Sequence, residues 1–299
     1  MVTLILFVLI FGVVVVSHEF GHFLLAKANG IHVIEFSVGM GPNLFSFQKG
    51  DTKYSLKLLP IGGACMFEGE DGLNEKEDGE DHSGSFLNAN VWARISTVLA
   101  GPVFNFILGF VIAFIMVNLI TTIRDPVATE IVDGGAAQEA GLQAGDRILS
   151  LNGSKIHLYE EIQLFTLTYR GGDVAVQYER DGVKGTTTLT PKYDESTGRY
   201  MIGISNADFV QLSGLDCFRY SWYEMRYCVT MTWKSLAMLV QGQVSRQDVA
   251  GPVGIAVNVV GKTYETTKDY GWQNVLVSML NITLMLTVNL GILNLLPVP

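Results

Sequence analysis

Cysteine is scarce in this chain, with Cys65, Cys217 and Cys228 as the only three among 299 residues. They are too few and too widely spaced for a disulfide framework or a zinc ribbon, and they read as free thiols. Charge is thin as well: Asp, Glu, Lys and Arg make up 16% of the chain and leave a net charge of −9. No basic cluster occurs anywhere, which excludes nucleic acid as a natural partner. No Lys or Arg precedes Lys27, and no small-residue cleavage site follows the first apolar run. Both flanks of a cleaved signal peptide are therefore missing, and the run reads as a retained membrane helix. What is abundant is apolar surface: 48% of residues are hydrophobic, which points to a membrane protein.

That first run, Val2 to Leu25, contains nothing ionisable except His18, Glu19 and His22 in the sequence His-Glu-Phe-Gly-His. On a helix the two histidines stand at i and i+4, on one face and about 6 Å apart along the axis, where two imidazoles can share one metal ion. Zinc suits imidazole nitrogen, and a catalytic site takes three protein ligands, of which His18 and His22 supply two. Glu19 lies about 100° round the helix, placed to activate an attacking water as general base rather than to bind metal. A helix that merely carries two histidines and a salt-bridging glutamate is the bland alternative. Against it stands the cost of an ionised carboxylate in a membrane helix, about 2.5–3.5 kcal/mol even on insertion scales.

Beyond Lys27, residues 27–94 hold a glycine-rich stretch with short apolar alternations and then an acidic one. Tyr54, Leu56 and Leu58 before Pro60 and Gly62-Gly63 predict a hairpin or small sheet between Ile31 and Phe67. Glu68 to Asp81 sets eight carboxylates against Lys76, and its spacing fits no EF-hand, so it reads as a solvated linker. Ile95 to Ile120 is a second span (residues 95–121), with Ala100-Gly101-Pro102 and Asn105 inside it. Gly101 and Gly109 let another helix approach closely, and Asn105 needs a hydrogen-bonding partner, from either a neighbouring helix or a substrate.

From Arg124 to Asp208 the composition turns soluble, with alternating strands at Val174 to Tyr178 and Thr186 to Leu189 and turns at Asp181-Gly182 and Gly171-Gly172. Within it, Gly141-Leu142-Gln143-Ala144-Gly145-Asp146-Arg147-Ile148 followed by Asn152-Gly153 resembles the signature of PDZ domains. That resemblance implies a module that takes an extended peptide as an added strand beside a helix. Tyr159 to Thr168 is the candidate helix and Met201 to Ile204 the candidate edge. Phe218, Trp222, Met225, Val229, Trp233, Leu236 and Val240 form one apolar stripe interrupted by Glu224, Arg226 and Lys234. This predicts an amphipathic helix on the membrane surface (residues 215–245) rather than a span. Gly251-Pro252 breaks the chain within a connecting segment, 246–271. Trp272 to Leu296 is the last span, carrying Asn281, Asn289 and Asn294, and residues 272–299 close on Asn294-Leu295-Leu296-Pro297-Val298-Pro299.

These features, in this order and along nearly the whole chain, resemble the bacterial site-2 proteases, intramembrane zinc metalloproteases. The resemblance implies a polytopic α-helical membrane protein with an inserted β-rich PDZ domain and a membrane-associated β-hairpin. It also implies Zn2+ bound by His18 and His22, Glu19 as the catalytic base, and Asn294 and Pro297 lining the site, with Asn105 a further candidate. The substrates implied are single-pass transmembrane proteins such as anti-sigma factors or remnant signal peptides, with a trimmed substrate terminus at the PDZ domain. The family's third ligand, the aspartate of Leu-Asp-Gly, is expected just beyond Pro299, so residues 1–299 by themselves are expected to bind zinc weakly and not to cleave. Ala64-Cys65 departs from the Tyr-Val that relatives often carry there. If Asn294 is to meet His22, Ile95 to Ile120 must be the one return crossing. The expected location is the bacterial cytoplasmic membrane, with the zinc near the cytoplasmic face and the PDZ domain outside. The rival readings are a catalytically inactive PDZ adaptor, which needs no metal, and an ion transporter, for which the chain lacks inverted repeats.

Overall fold

The computed structural model describes residues 1–70, 84–243 and 251–296. They form two compact units, one of Met1–Met116 with Leu239–Pro299 and one of Val117–Met238.

The first unit is built on three helices long and apolar enough to cross a membrane: α1 (Val2–Ala28), α2 (Val91–Ile120) and α8 (Trp272–Leu295). Each is at least 24 residues long, about 36 Å at 1.5 Å per residue, against a hydrocarbon core of about 30 Å. Their outer faces leave Leu4, Leu9, Ile107, Ile115 and Leu276 exposed. A lipid solvent makes such exposure costless, whereas water would not.

Where the helices meet, small residues and polar side chains hold them together. A side chain at Gly21 would collide with the Ala100 carbonyl at 2.5 Å, so α1 and α2 touch backbone to backbone there. Gly109 of α2 packs under Val288 and Thr287 of α8, and Gly291 of α8 under the Phe106 ring. Pro102 lies inside α2. Just beyond it, Ser17 donates to the Phe104 carbonyl at 3.3 Å and Thr287 to the Asn105 carbonyl at 3.1 Å. These two bonds tie α2 to its neighbours just beyond Pro102, whereas the ladder that the proline disturbs lies a turn earlier, at the Val98 carbonyl.

Strands β1 (Val33–Lys49) and β2 (Thr52–Phe67) form the expected antiparallel hairpin, turning at Gly50-Asp51. Both strands bend, so that the stretch 35–38 lies between two parts of β2: Phe36 has partners in both Tyr54 and Cys65, and Val38 in both Leu56 and Gly63. The returning Gly63–Phe67 stretch lies close to α1. The tip exposes Met40, Leu44, Phe45, Phe47, Leu56 and Leu58, an apolar patch that an isolated hairpin could not keep in water. The acidic stretch of the sequence lies outside the described residues beyond Glu70.

A segment expected only to connect is helical: α6 (Pro252–Gly254), a π-helical stretch (Ile255–Gly261) and α7 (Lys262–Thr267) run without a break. The run of Ile255, Val257, Val259 and Val260 carries a β-branched, strand-like preference. Tertiary packing overrides it. Val260 is fully buried in a cluster with Phe7 and Ile10 of α1 and Met279 and Ile282 of α8, and Gly261 sits against Thr3.

The second unit is β-rich. Its sheet runs in the order β10 (Ile204–Gln211), β3 (Thr122–Ile131), β4 (Arg147–Leu151), β6 (Val174–Arg180), β7 (Val183–Leu189), with β5 (Ser154–Lys155) paired to β4. A small hairpin, β8 (Lys192–Asp194) with β9 (Arg199–Met201), stands apart from it. The short helix α3 (Ala136–Glu139) and α4 (Tyr159–Thr168) cover a core of Leu142, Ile148, Leu151, Ile162, Val174 and Val176. The turn Asp181-Gly182 has both residues at positive φ (51° and 77°), the geometry of a two-residue hairpin.

Helix α5 (Leu215–Val240) belongs largely to this unit. The charged residues that interrupt its apolar stripe explain its placement. Arg226 pairs with Glu161 of α4, Lys234 donates to Thr168 at 3.2 Å, and Tyr223 stacks flat on His157 at 4.1 Å. Phe218, Trp222 and Trp233 are left more than half exposed.

Candidate metal centre

The helical run of α1 puts His18 and His22 on one face, and the structure brings their Nε2 atoms to 3.2 Å. Two zinc–nitrogen bonds of about 2.0–2.1 Å meeting at a tetrahedral angle hold their nitrogens about 3.3 Å apart. The imidazoles are therefore already spaced as two edges of one coordination sphere. Their rings stand nearly perpendicular, at 82°.

What aims those nitrogens is α2. His22 Nδ1 lies 2.8 Å from the Thr97 carbonyl, an acceptor that requires the proton on Nδ1 and leaves the Nε2 lone pair free for metal. His18 Nδ1 lies 3.1 Å from the side-chain amide of Asn105. Asn105 is fully buried, and its Oδ1 has no hydrogen-bond partner among the described residues; an unpaired buried acceptor costs about 1–3 kcal/mol. A half-turn of the amide puts Oδ1 against the His18 Nδ1–H, which satisfies the orphan and fixes on His18 the same tautomer as on His22. Asn105, a candidate for lining the site, thus stands behind the His18 imidazole.

Gly101 explains the Ala-Gly-Pro of the sequence. A Cβ there would lie 2.3 Å from His22 Nε2 and 2.7 Å from His18 Cε1, so the absent side chain leaves open the space between the two imidazoles. Asn294, near the end of α8, brings its amide nitrogen to 3.4 Å from His18 Nε2 and is exposed. Pro297 lies outside the described residues. Among the described residues no third His, Cys, Asp or Glu completes a cluster with the two histidines. Donor type, spacing, tautomer control and the glycine gap all fit zinc.

Glu19 faces the hairpin. A Cβ on Gly63 would come within 2.8 Å of Glu19 Cγ and 3.0 Å of Val15 Cγ1, and the Cys65 backbone hydrogen-bonds the Glu19 carboxyl. Gly63 lets β2 lie directly on the glutamate, while Gly62 beside it faces Met40. Beside them a cavity of about 470 Å³ is lined by Val14 and Val15 of α1, Ile61 and Gly62 of β2, Ile255 of the π-helical stretch, and Leu290 of α8. Sequence reasoning missed this cavity and the Thr97 carbonyl. Neither has a sequence signal, because both arise from elements distant along the chain.

Residues 6–299 match the model of Peptidase family M50. A relative from Clostridium acetobutylicum is 33% identical over 292 residues, covering 98% of this chain and 81% of its own length. Zinc metalloprotease RasP of Bacillus licheniformis is 32% identical over 378 residues, 99% of this chain and 87% of the relative. RasP of Geobacillus kaustophilus is 29% identical over 372 residues, with 99% and 86% covered. A paired-histidine centre on a membrane helix, braced by a second such helix, and a family match along nearly the whole chain lead to one conclusion: this chain belongs to peptidase family M50, the site-2 family of intramembrane zinc metalloproteases.

Proposed function

We propose that the chain hydrolyses peptide bonds in the transmembrane segments of single-pass proteins, such as anti-sigma factors or remnant signal peptides. His18 and His22 hold the zinc and Glu19 acts as the base. The observation that carries this reading is the 3.2 Å approach of the two Nε2 atoms with both Nδ1 atoms engaged from α2. The third ligand is assigned to the aspartate that the family carries after the motif begun by Asn294 and Pro297.

Zinc at this position supplies Lewis acidity and lowers the pKa of water towards about 7. Glu19 takes the proton from the attacking water and delivers it to the leaving amine. The Cys65 backbone and the close-packed Gly63 hold the carboxylate in place for that transfer. A helical substrate hides its carbonyls in i to i+4 bonds, so it must unwind before attack. Pairing of the unwound segment with the hairpin replaces those bonds, and the neighbouring cavity receives an apolar side chain of that segment.

The β-rich unit is read as a PDZ domain. Support comes from β10, which lies at a sheet edge, and from the Tyr159 hydroxyl of α4, which donates to the Ile204 carbonyl at 3.3 Å. The domain screens substrates or holds a trimmed terminus, and it faces outward from the bacterial cytoplasmic membrane while the zinc lies near the cytoplasmic side.

The test is substitution in the intact gene product. Glu19→Gln is expected to keep stoichiometric zinc by metal analysis and to abolish cleavage of a model transmembrane substrate, while His18→Ala loses both. Normal cleavage by the Glu19→Gln protein overturns the assignment.

A further inference from the structure

The chain carries 20 Lys and Arg against 29 Asp and Glu, yet four of its cations gather round one hollow of the β-rich unit. Arg147, Lys155, Lys184 and Arg219 line a cavity of about 490 Å³ together with Tyr220 and Tyr223, and no carboxylate is among the residues lining it. Two of the four are held by acids outside the lining: Arg147 by the buried Asp125 at 2.8 Å, and Arg219 by Asp216 at 2.8 Å. Lys155 and Lys184 are exposed, and among the described residues neither is in an ion pair, although Glu179 stands opposite Lys184 in the ladder. His157, also in the wall, reports the local field. Its imidazole is held below the ordinary value by burial first and then by Arg226, with Lys155 and Arg219 adding to the effect and Glu161 opposing it.

The hollow is tied to the end of a membrane helix. Tyr220 packs in one cluster with Val117 of the last turn of α2, and the Leu212 N–H bonds the Thr121 carbonyl at 2.7 Å, just before α5 begins. Val117 lies in the last turn of α2, one of the three helices long and apolar enough to cross a membrane, so the chain enters this unit directly from such a helix. On α5, Arg219 is flanked by Leu215, Phe218 and Trp222, exposed by 89%, 58% and 55%. Such a row suits acyl chains, with aromatic side chains at the interface.

We propose that this hollow is a binding site for the phosphate headgroup of an anionic phospholipid, with Lys155 and Lys184 as its free cations and the Leu215–Trp222 face of α5 against the acyl region. A peptide carboxylate would satisfy the charges but gives no role to the exposed apolar row beside them. The site fixes the β-rich unit on the membrane surface and requires no contribution from the metal centre.

The test uses the whole chain in nanodiscs of phosphatidylcholine with or without about one-fifth phosphatidylglycerol, reading retained lipid by native mass spectrometry and unfolding temperature by intrinsic fluorescence. Wild type is expected to retain phosphatidylglycerol preferentially and to melt higher when it is present. Lys155→Ala and Lys184→Ala are each expected to lower that preference about fivefold, in line with the usual worth of one cation near an anionic surface. Lys192→Ala with Arg199→Ala, in the small hairpin away from the hollow, is expected to leave it unchanged. Equal loss in this control means a diffuse surface potential and overturns the site. Stabilisation by inorganic phosphate equal to that by phosphatidylglycerol overturns the lipid assignment, as does displacement of the lipid by a peptide with a free C-terminal carboxylate.

Discussion

At the scale of single residues, the centre depends as much on an absent side chain as on those present. Gly101 faces His22 Nε2 so closely that a methyl group would stand 2.3 Å from it, in the space that a zinc ion bonded to that nitrogen at about 2.0–2.1 Å would need. Gly101→Ala is therefore expected to abolish tight zinc binding while the helices still form, since alanine favours a helix more than glycine does. Asn105→Ala acts more gently: it removes the acceptor behind His18 and is expected to weaken zinc by about 10–100-fold, the usual range for a group supporting a metal ligand. Zinc titration against a competing chelator, with helicity by circular dichroism as the control, checks both. Unchanged zinc affinity in Gly101→Ala would show that the metal sits elsewhere.

Among the elements, α5 shows how a helix is placed by the polar residues that interrupt its apolar stripe. Glu224 is partly buried there, near Glu160 and Glu161. Burial first, and then those two carboxylates, push its carboxyl up to about 7. Arg124 lies 3.6 Å from Glu160, and Arg226 pairs with Glu161, so those acids have cations while Glu224 has none in an ion pair among the described residues. A carboxyl whose folded pKa lies above its unfolded value of 4.5 binds its proton more tightly when folded. Its stabilising contribution is complete below about pH 4.5 and is lost as pH rises to about 7, a loss of about 3 kcal/mol at most. Glu224→Gln is expected to raise the unfolding temperature at pH 8 and to flatten its fall between pH 4.5 and 7. The difference between variant and wild-type thermal melts over that range is the measurement, and parallel curves would refute the placement of Glu224.

For the whole molecule, the β-rich unit is an insertion whose ends meet. Thr121 and Leu212 are joined by a backbone hydrogen bond of 2.7 Å, so residues 122–211 can be replaced by a short link without stretching the chain. If this unit screens substrates, the excised protein is expected to cleave a pre-trimmed substrate at near the wild-type rate and to cleave an untrimmed one faster than wild type. Paired cleavage assays on a folded, zinc-loaded preparation decide it. Loss of cleavage of the trimmed substrate would mean that the unit takes part in catalysis rather than selection.

The sequence by itself determined the elements whose signals are local. An apolar run long enough to span a bilayer is a helix whatever surrounds it, and α1, α2 and α8 were legible for that reason. The i, i+4 spacing of His18 and His22 placed two imidazoles on one face of α1 before any fold was known. Alternation and Asp-Gly punctuation likewise marked β6 and β7. Only the tertiary structure decided what depends on meetings between distant segments. The β-branched run at Ile255–Val260 became helical because α1 and α8 bury Val260. Asn105 turned towards His18 because Gly21 and Gly101 let α2 lie against α1. Glu224, Arg226 and Lys234 set α5 apart from the three helices apolar enough to span a membrane, but did not say which surface it would pack on. That answer needed Glu161, Thr168 and His157, residues from elements far earlier in the chain. Local periodicity encodes what each segment becomes, whereas close approach, cavities and tautomers are properties of pairs of segments, which no single stretch of sequence contains.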